Sequence, residues 1–420
     1  MTRSLATVRL VLVCLAAAAV AFPVVIIGLS KFLLLVSALV VLAYRSIRRE
    51  DSPTLLHGSA SPMILLALAC LAAGALWSTG SADEALLALV KHGKLILVPV
   101  VLCLLRSRRE ALIGLSFFAG AQVFLLVSTW LHYGGVPIAW VTSKEAGTCA
   151  TCSYAIFSSY LDQSIMSAVL AAVAWHCRGY VPGPYRAPLA ASIALLSLAC
   201  VFLIFQGRTG YLIALVLIAM TIAWELPRRL QFGVGVLLLT LVAALLATSG
   251  QVRQRVLALD ASLISNREAS DLSISSGTRI HLWLGSLRLI ESHPLHGTGT
   301  GSWKKEFNQL ERTSSDQAPA QGTAGKVHPN PHQEFLLWGA ELGLPGVALL
   351  CAVMLSLYRD SLQLELPARR AMQSILAALV LACLFNCALY DALIGDFFCI
   401  ALALTAAFRS DLKRLEPKAA

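Results

Sequence analysis

Apolar runs recur along almost the whole chain, separated by short basic stretches and by two long polar segments. Twelve runs can be read, near 5–22, 24–43, 62–77, 85–105, 111–131, 161–177, 188–205, 209–226, 229–248, 335–357, 370–390 and 392–409. Each is close to the roughly 20 residues that cross a bilayer as a helix. Hydrophobicity alone gives ten or eleven equally well, because the first two and the last two runs are tightly joined. The first run follows Arg3 and Arg9, shows no clear cleavage site and leads straight into the second, which predicts an anchor and not a signal peptide. The fold expected is all-α: one polytopic membrane domain over 1–420, with about twelve transmembrane helices and a large loop, 249–334, between spans nine and ten.

Composition supports this class. The 420 residues are 57% hydrophobic and 13% charged, and the mean hydropathy is +0.74. A soluble domain has no use for so much apolar surface. The net charge of +10 then reflects basic cytoplasmic loops and not nucleic-acid binding. With the N-terminus inside, the inner segments carry Arg3 and Arg9, Arg45/Arg48/Arg49, Arg106/Arg108/Arg109, Arg178/Arg186, Arg228/Arg229, Arg359/Arg369/Arg370 and Arg409/Lys413/Arg414/Lys418. These are more than half of the 33 basic residues, whereas the short outer loops offer Arg208 alone. Both termini are expected in the cytoplasm.

Two long loops then face outward. The first, 132–160, holds Cys149 and Cys152, whose spacing lacks a second Cys or His pair for zinc and predicts a local disulfide in an oxidising compartment. The second, 249–334, contains an amphipathic helix. Its apolar positions Ile280, Trp283, Leu284, Leu287 and Ile290 follow helical spacing, from near Ser276 to just before His293-Pro294, and the helix can lie in the membrane interface. Gly297, Gly299 and Gly301 predict a flexible turn, and the polar stretch 311–327 a mobile segment.

Candidate chemistry gathers on the outer side. Asn330 can cap the helix of the tenth span, with Pro331 at its first position and Gln333 completing a capping box, which places His332 in the first helical turn. The helix dipole disfavours an imidazolium there, so His332 is either a neutral base or merely a capping residue. Arg208, in Gln206-Gly-Arg-Thr-Gly210, either points into a membrane-surface cavity or anchors the interface. Arg279, in Ser275-Ser-Gly-Thr-Arg279, sits where helix N–H groups and a guanidinium can bind an anion, or lies on a solvated face. Arg288 is nine residues later, half a turn round the helix. Lys91 and Lys94 share a face of the fourth span, and Lys31 lies near the outer end of the first hairpin; such amines snorkel, face a cavity or mark function. Glu341 lies inside the tenth span, where Gly343, Pro345 and Gly346 can bend the helix. Asp391 and Asp396 bracket the last outer turn. His328 and His332 are four apart, but Pro331 interrupts the helix that would align them for a metal, and no phosphate-binding glycine loop or nucleotide fold is visible. No metal and no cofactor is expected. Arg, Lys and His on the outside suit a substrate that arrives with its anionic leaving group attached.

At this point the chain resembles the O-antigen ligase family, within a superfamily that also holds O-antigen polymerases and pilin-type oligosaccharide ligases. The family's late motif is His, then Asn/Ser/Gln, nine residues, Gly, two residues, and Gly/Thr/Tyr. Here it reads His332-Gln333, residues 334–342, Gly343, Leu344-Pro345, Gly346. Two upstream arginines match as well: Gly207-Arg208-Thr209-Gly210, and Arg279 ahead of Pro294-Leu295-His296-Gly297-Thr298-Gly299. The resemblance implies transfer of a glycan from undecaprenyl diphosphate to a sugar hydroxyl of lipid A–core, by a multi-pass bacterial inner-membrane enzyme with its active site facing the periplasm. It implies diphosphate binding by Arg208 and Arg279 and a base at His332; outside the matched motifs, Lys31, Lys91, Lys94, Arg288 and His328 are candidate substrate contacts by residue type and position alone. The partners implied are the lipid-linked donor, the lipid A–core acceptor and membrane lipid, not nucleic acid.

Three function classes follow. A glycan ligase is favoured. A polymerase, or a protein O-oligosaccharide ligase of the same superfamily, shares the chemistry and differs in acceptor. A secondary transporter also has about twelve spans, but it would be expected to show related halves and polar groups at the midplane.

Overall fold

The computed structural model describes residues 3–48, 58–142, 154–205, 207–227, 271–314 and 329–408, with four further positions between 229 and 236. They are helical, with no strand among the described residues. In chain order the α-helices are α1 (Arg3–Ala19), α2 (Val24–Arg48), α3 (Ala60–Gly74), α4 (Ala82–His92), α5 (Leu97–Leu104), α6 (Arg108–Tyr133), α7 (Tyr160–His176), α8 (Arg186–Ala199) and α9 (Arg208–Glu225). After the gap come α10 (Asp271–Ser292), α11 (Trp303–Ser314), α12 (Glu334–Leu342), α13 (Leu344–Ser361), α14 (Leu366–Phe385) and α15 (Ala392–Ala406).

Eight helical segments are long and apolar enough to cross a membrane, and Ala6–Ala19 and Ala392–Ala406 are shorter apolar helices. Eleven of the twelve predicted runs fall on described helices; the run 229–248 lies almost wholly outside the described residues. The middle of the bundle is α15, buried at every position from Leu393 to Ala406. A helix apolar all round has no face to give to solvent, so it takes the centre. Around it pack α5, α6, α7 and α14.

Two predicted spans are not continuous helices. The run 85–105 is α4, a 3-10 turn at Gly93–Ile96, and α5. Pro99 explains the interruption: it has no N–H to give the carbonyl one turn back, and its ring crowds that carbonyl. The run 335–357 is cut at Gly343, which has φ 72°. A β-carbon there would lie 2.5 Å from the Pro294 carbonyl oxygen. What the sequence presents as one bent span is therefore a nine-residue helix, α12, followed by the membrane-length α13.

The described part of the large loop also departs from expectation. α10 does end at Ser292. However, its buried positions are Leu282, Gly285, Ser286, Leu289 and Ile290, while Leu284 and Leu287 are exposed. Small residues at Gly285 and Ser286 admit the bulky face of α11: Phe307 lies against Gly285, and the Trp303 indole N–H donates to Ser286 Oγ at 2.8 Å. Nor is the glycine turn loose. The N–H groups of Thr298 and Gly299 donate to the carbonyls of Ala340 and Glu341 at 2.9 Å each, and Thr79 N–H donates to the Thr298 carbonyl at 3.0 Å. At Gly299, with φ 92°, a β-carbon would meet Ser78 Cα at 2.2 Å. Glycine serves here for close backbone approach, and the turn locks α12 to the α3–α4 connection. Residues 311–314 of the supposedly mobile stretch complete α11.

Candidate functional site

Arg208 is the first residue of α9, and it is exposed while Thr209 and Gly210 behind it are buried. Gly210 lets this turn press against Ser164 of α7, so the arginine is carried on a fixed helix end. The preceding helix finishes in a π-helical turn, Cys200–Phe205. Such widened turns often occur at functional sites.

Arg279 is half-buried on α10. Burial lowers its pKa below the usual arginine value. Tyr160 at the start of α7 pulls it up, and Arg208 pushes it further down. The structure thus brings two arginines far apart in sequence within electrostatic reach of each other. Neither forms an ion pair with a carboxylate among the described residues. Both stay charged, because arginine does not deprotonate in proteins. Arg288 is exposed on the far side of α10, as the half-turn offset predicts.

His332 lies at the same end. Ile290 packs on Gly339, and a few residues further along both segments the Pro294 carbonyl accepts from Leu344 N–H at 2.8 Å. α10 and α12 therefore run in the same direction; His332 directly precedes α12, whereas α10 begins at Asp271, which puts Arg279 in its third turn and not at the helix start that the sequence predicts. The predicted capping does not occur. α12 starts at Glu334, and Gln333 is its cap, its side chain accepting from Leu336 N–H. Asn330 instead accepts from His332 N–H at 2.9 Å, closing a turn around Pro331. Both arrangements use the same residue types, and the tight turn wins because Glu334 is drawn into the core. His332 sits before the helix, half-buried, with φ 53°, the one non-glycine residue with positive φ among those described. His328, Cys149 and Cys152 lie outside the described residues.

A buried polar cluster beneath His332 escaped the sequence reading. Glu334 is fully buried: Oε1 accepts from Trp338 Nε1 at 3.1 Å, and Oε2 from the N–H groups of Leu389 and Tyr390 at 3.0 and 3.3 Å. His92, buried on α4, lies between two acids, with Nδ1 4.0 Å from Glu334 and Nε2 3.4 Å from Glu341. Glu341 in turn accepts from Gly301 N–H at 2.9 Å. This arrangement ties α4, α12, the glycine turn and the α14–α15 turn together. An acid directly after the His332-Gln333 pair, in an apolar helix, was the available signal; a lone histidine between Lys91 and Lys94 gave none.

The lysines are drawn into the same region. Lys94 is buried and donates to the carbonyls of Tyr390, at 3.1 Å, and Asp391. Lys91, half-exposed, lies 4.1 Å above the Tyr390 ring. Burial raises the Asp391 carboxyl, and Lys94 and Lys91 act against that rise. Lys31 pairs with Asp396 at 2.7 Å. Lys94 and Lys31 thus have internal partners, and Lys91 remains the open amine of the three.

Residues 192–351 match the family model described as O-Antigen ligase. The match covers 192–351 of the 420 residues, and over that stretch the chain is similar to the O-antigen ligase family. The matched stretch contains Arg208, Arg279, Glu334, Glu341 and His332 together with the π-helical turn. Lys31, Lys91, His92 and Lys94 precede it, and the turn at Tyr390 and Asp391 follows it. No curated protein matches the chain.

Proposed function

We propose that this protein is an O-antigen ligase. It transfers a polysaccharide from undecaprenyl diphosphate to a sugar hydroxyl of lipid A–core, at the periplasmic face of the bacterial inner membrane, with the loop 249–334 on that side. The observation that carries this reading is that the charge of Arg208 is felt at Arg279 while neither is paired with a described carboxylate. Two guanidiniums with like charge repel, and a diphosphate between them removes that repulsion and accepts forked hydrogen bonds.

In this mechanism the arginines meet the negative charge that grows on the diphosphate as its bond to the anomeric carbon breaks. No metal ion is required for that role. His332 takes the proton of the acceptor hydroxyl as the new glycosidic bond forms. The diphosphate leaves without being protonated. Glu334 and His92 hold the base of α12, and the Asn330 turn holds the imidazole above it.

The test is transfer by the purified full-length protein given lipid-linked polysaccharide and lipid A–core. Polysaccharide on lipid A–core is the expected product. Growth of the lipid-linked chain by whole repeat units, with no product on lipid A–core, would make the protein a polymerase; absence of any transfer would defeat the reading.

A further inference from the structure

Two apolar grooves flank α8, and both run to the end of α7 remote from Arg208 and Arg279. The first, about 210 Å³, lies between α6, α7 and α8 and is lined by Leu115, Leu170, Val173, Leu189 and Ile193. The second, about 170 Å³, lies between α7, α8 and α9 and includes Ala168, Ala172, Leu198 and Ile218. At their shared end a third cavity, about 390 Å³, is bordered by His176, Arg178, Arg186, Pro367 and Arg370. Arg186 borders both the first groove and the basic cavity. Trp175, in the second groove, carries the Arg178 guanidinium 4.2 Å above its ring.

The charge at this mouth is unbalanced. Arg370 donates to Glu225 at 2.8 Å and to the Trp224 carbonyl at 2.7 Å. Arg178 donates to the Trp175 carbonyl at 2.7 Å and lies 3.9 Å from the same Glu225. Arg186 is exposed and pairs with no carboxylate among the described residues. Three guanidiniums therefore share one acid, and two of them are already held in place by tryptophans.

We infer that this is a binding site for an anionic diacyl phospholipid, with its phosphate among Arg178, Arg186 and Arg370 and one acyl chain in each groove. Arginine forks fit phosphate oxygens. Basic pockets between membrane helices recognise anionic headgroups, and in the orientation set by the basic loops this end faces the cytoplasmic leaflet. Two grooves, one on each side of α8, distinguish a two-chain lipid from a single-chain polyprenyl carrier. The site is separate from the transfer chemistry, because α7 spans from Tyr160, beside Arg279, to His176 at the mouth.

The experiment is native mass spectrometry of the full chain in neutral detergent, titrated with phosphatidylglycerol, phosphatidylcholine, a polyprenyl phosphate or inorganic phosphate. Phosphatidylglycerol should be retained in preference to the other three. Arg186→Ala should weaken its retention roughly fivefold. Ala119→Phe, which fills the first groove and leaves every arginine in place, should weaken it as well. Arg359→Ala, outside both cavities, should leave it unchanged. Equal retention of phosphatidylcholine, or wild-type retention in both Arg186→Ala and Ala119→Phe, would overturn the proposal. Displacement by inorganic phosphate would mark a simple anion site, and tighter binding of the polyprenyl phosphate a carrier site; either result also rejects it.

Discussion

The two ends of the bundle handle positive charge in opposite ways. At one end arginines are matched to acids: Arg9 to Glu110, Arg108 to Glu365 at 2.7 Å and Arg370 to Glu225 at 2.8 Å. Asp360 there accepts from the N–H groups of Ser59 and Ala60 at 2.8 and 3.0 Å and so fastens the start of α3. At the other end Arg208 and Arg279 lie close together without an acid, while the buried acids Glu334 and Glu341 turn inward to His92 and to backbone N–H groups. The first pattern closes an architecture. The second leaves a cationic opening above a stiff base, which is what an incoming anion needs. Arg186, like Arg109 and Arg359, has no carboxylate partner among the described residues, and it borders the lipid site inferred above.

The sharpest way to break the comparison is to remove the base. His332→Ala should lower transfer by roughly 10²–10⁴ while donor binding survives. His328→Ala should be milder. Wild-type turnover in His332→Ala, or outright loss of donor binding, would make the histidine structural. The wild-type rate should also fall as acid protonates the imidazole, because a protonated imidazole cannot accept the proton.

The arginines come next. Arg208→Lys or Arg279→Lys should each cost about 10²–10³ in rate, since an ammonium cannot form the fork. Arg108→Lys at the matched end should change little. If both site variants kept their rate at equal expression, the cationic opening would be an interfacial feature only.

A stability measurement separates the ends further. Glu334→Ala leaves the Trp338 indole N–H and the backbone N–H groups of Leu389 and Tyr390 without their acceptor, and should destabilise the protein by roughly 3–5 kcal/mol. Arg108→Ala breaks a pair whose side chains are 39% and 38% exposed and should cost about 0–1 kcal/mol. Similar melting shifts for the two would contradict the contrast drawn here. The gentlest test is labelling: a cysteine replacing Ser314 should react with an impermeant reagent added outside, and one replacing Gln363 should not. The reverse pattern would turn the whole assignment of faces over.

The positions of the helices were legible because apolar runs and basic loops are written directly in residue type. Arg208 and Arg279 were legible as candidates from their short motifs, although only the fold brings them together. Three details were not. The packing of α10 on α11 was not legible because periodicity counts apolar side chains, whereas Gly285 and Ser286 are the positions that fit against Phe307 and Trp303. The cap of α12 was misplaced because Asn330 serves a helix start or a tight turn equally well. His92 was invisible, since its partners Glu334 and Glu341 lie more than 240 positions away along the chain.

The left-handed backbone at His332 has a consequence for anyone engineering this protein. For an L-residue other than glycine that conformation costs on the order of 1–2 kcal/mol, and glycine adopts it freely. A library sorted only for heat resistance would therefore be drawn toward His332→Gly, enriching molecules that melt later and, under the proposed mechanism, have lost their base. Selection for endurance and selection for turnover pull in opposite directions at this one residue.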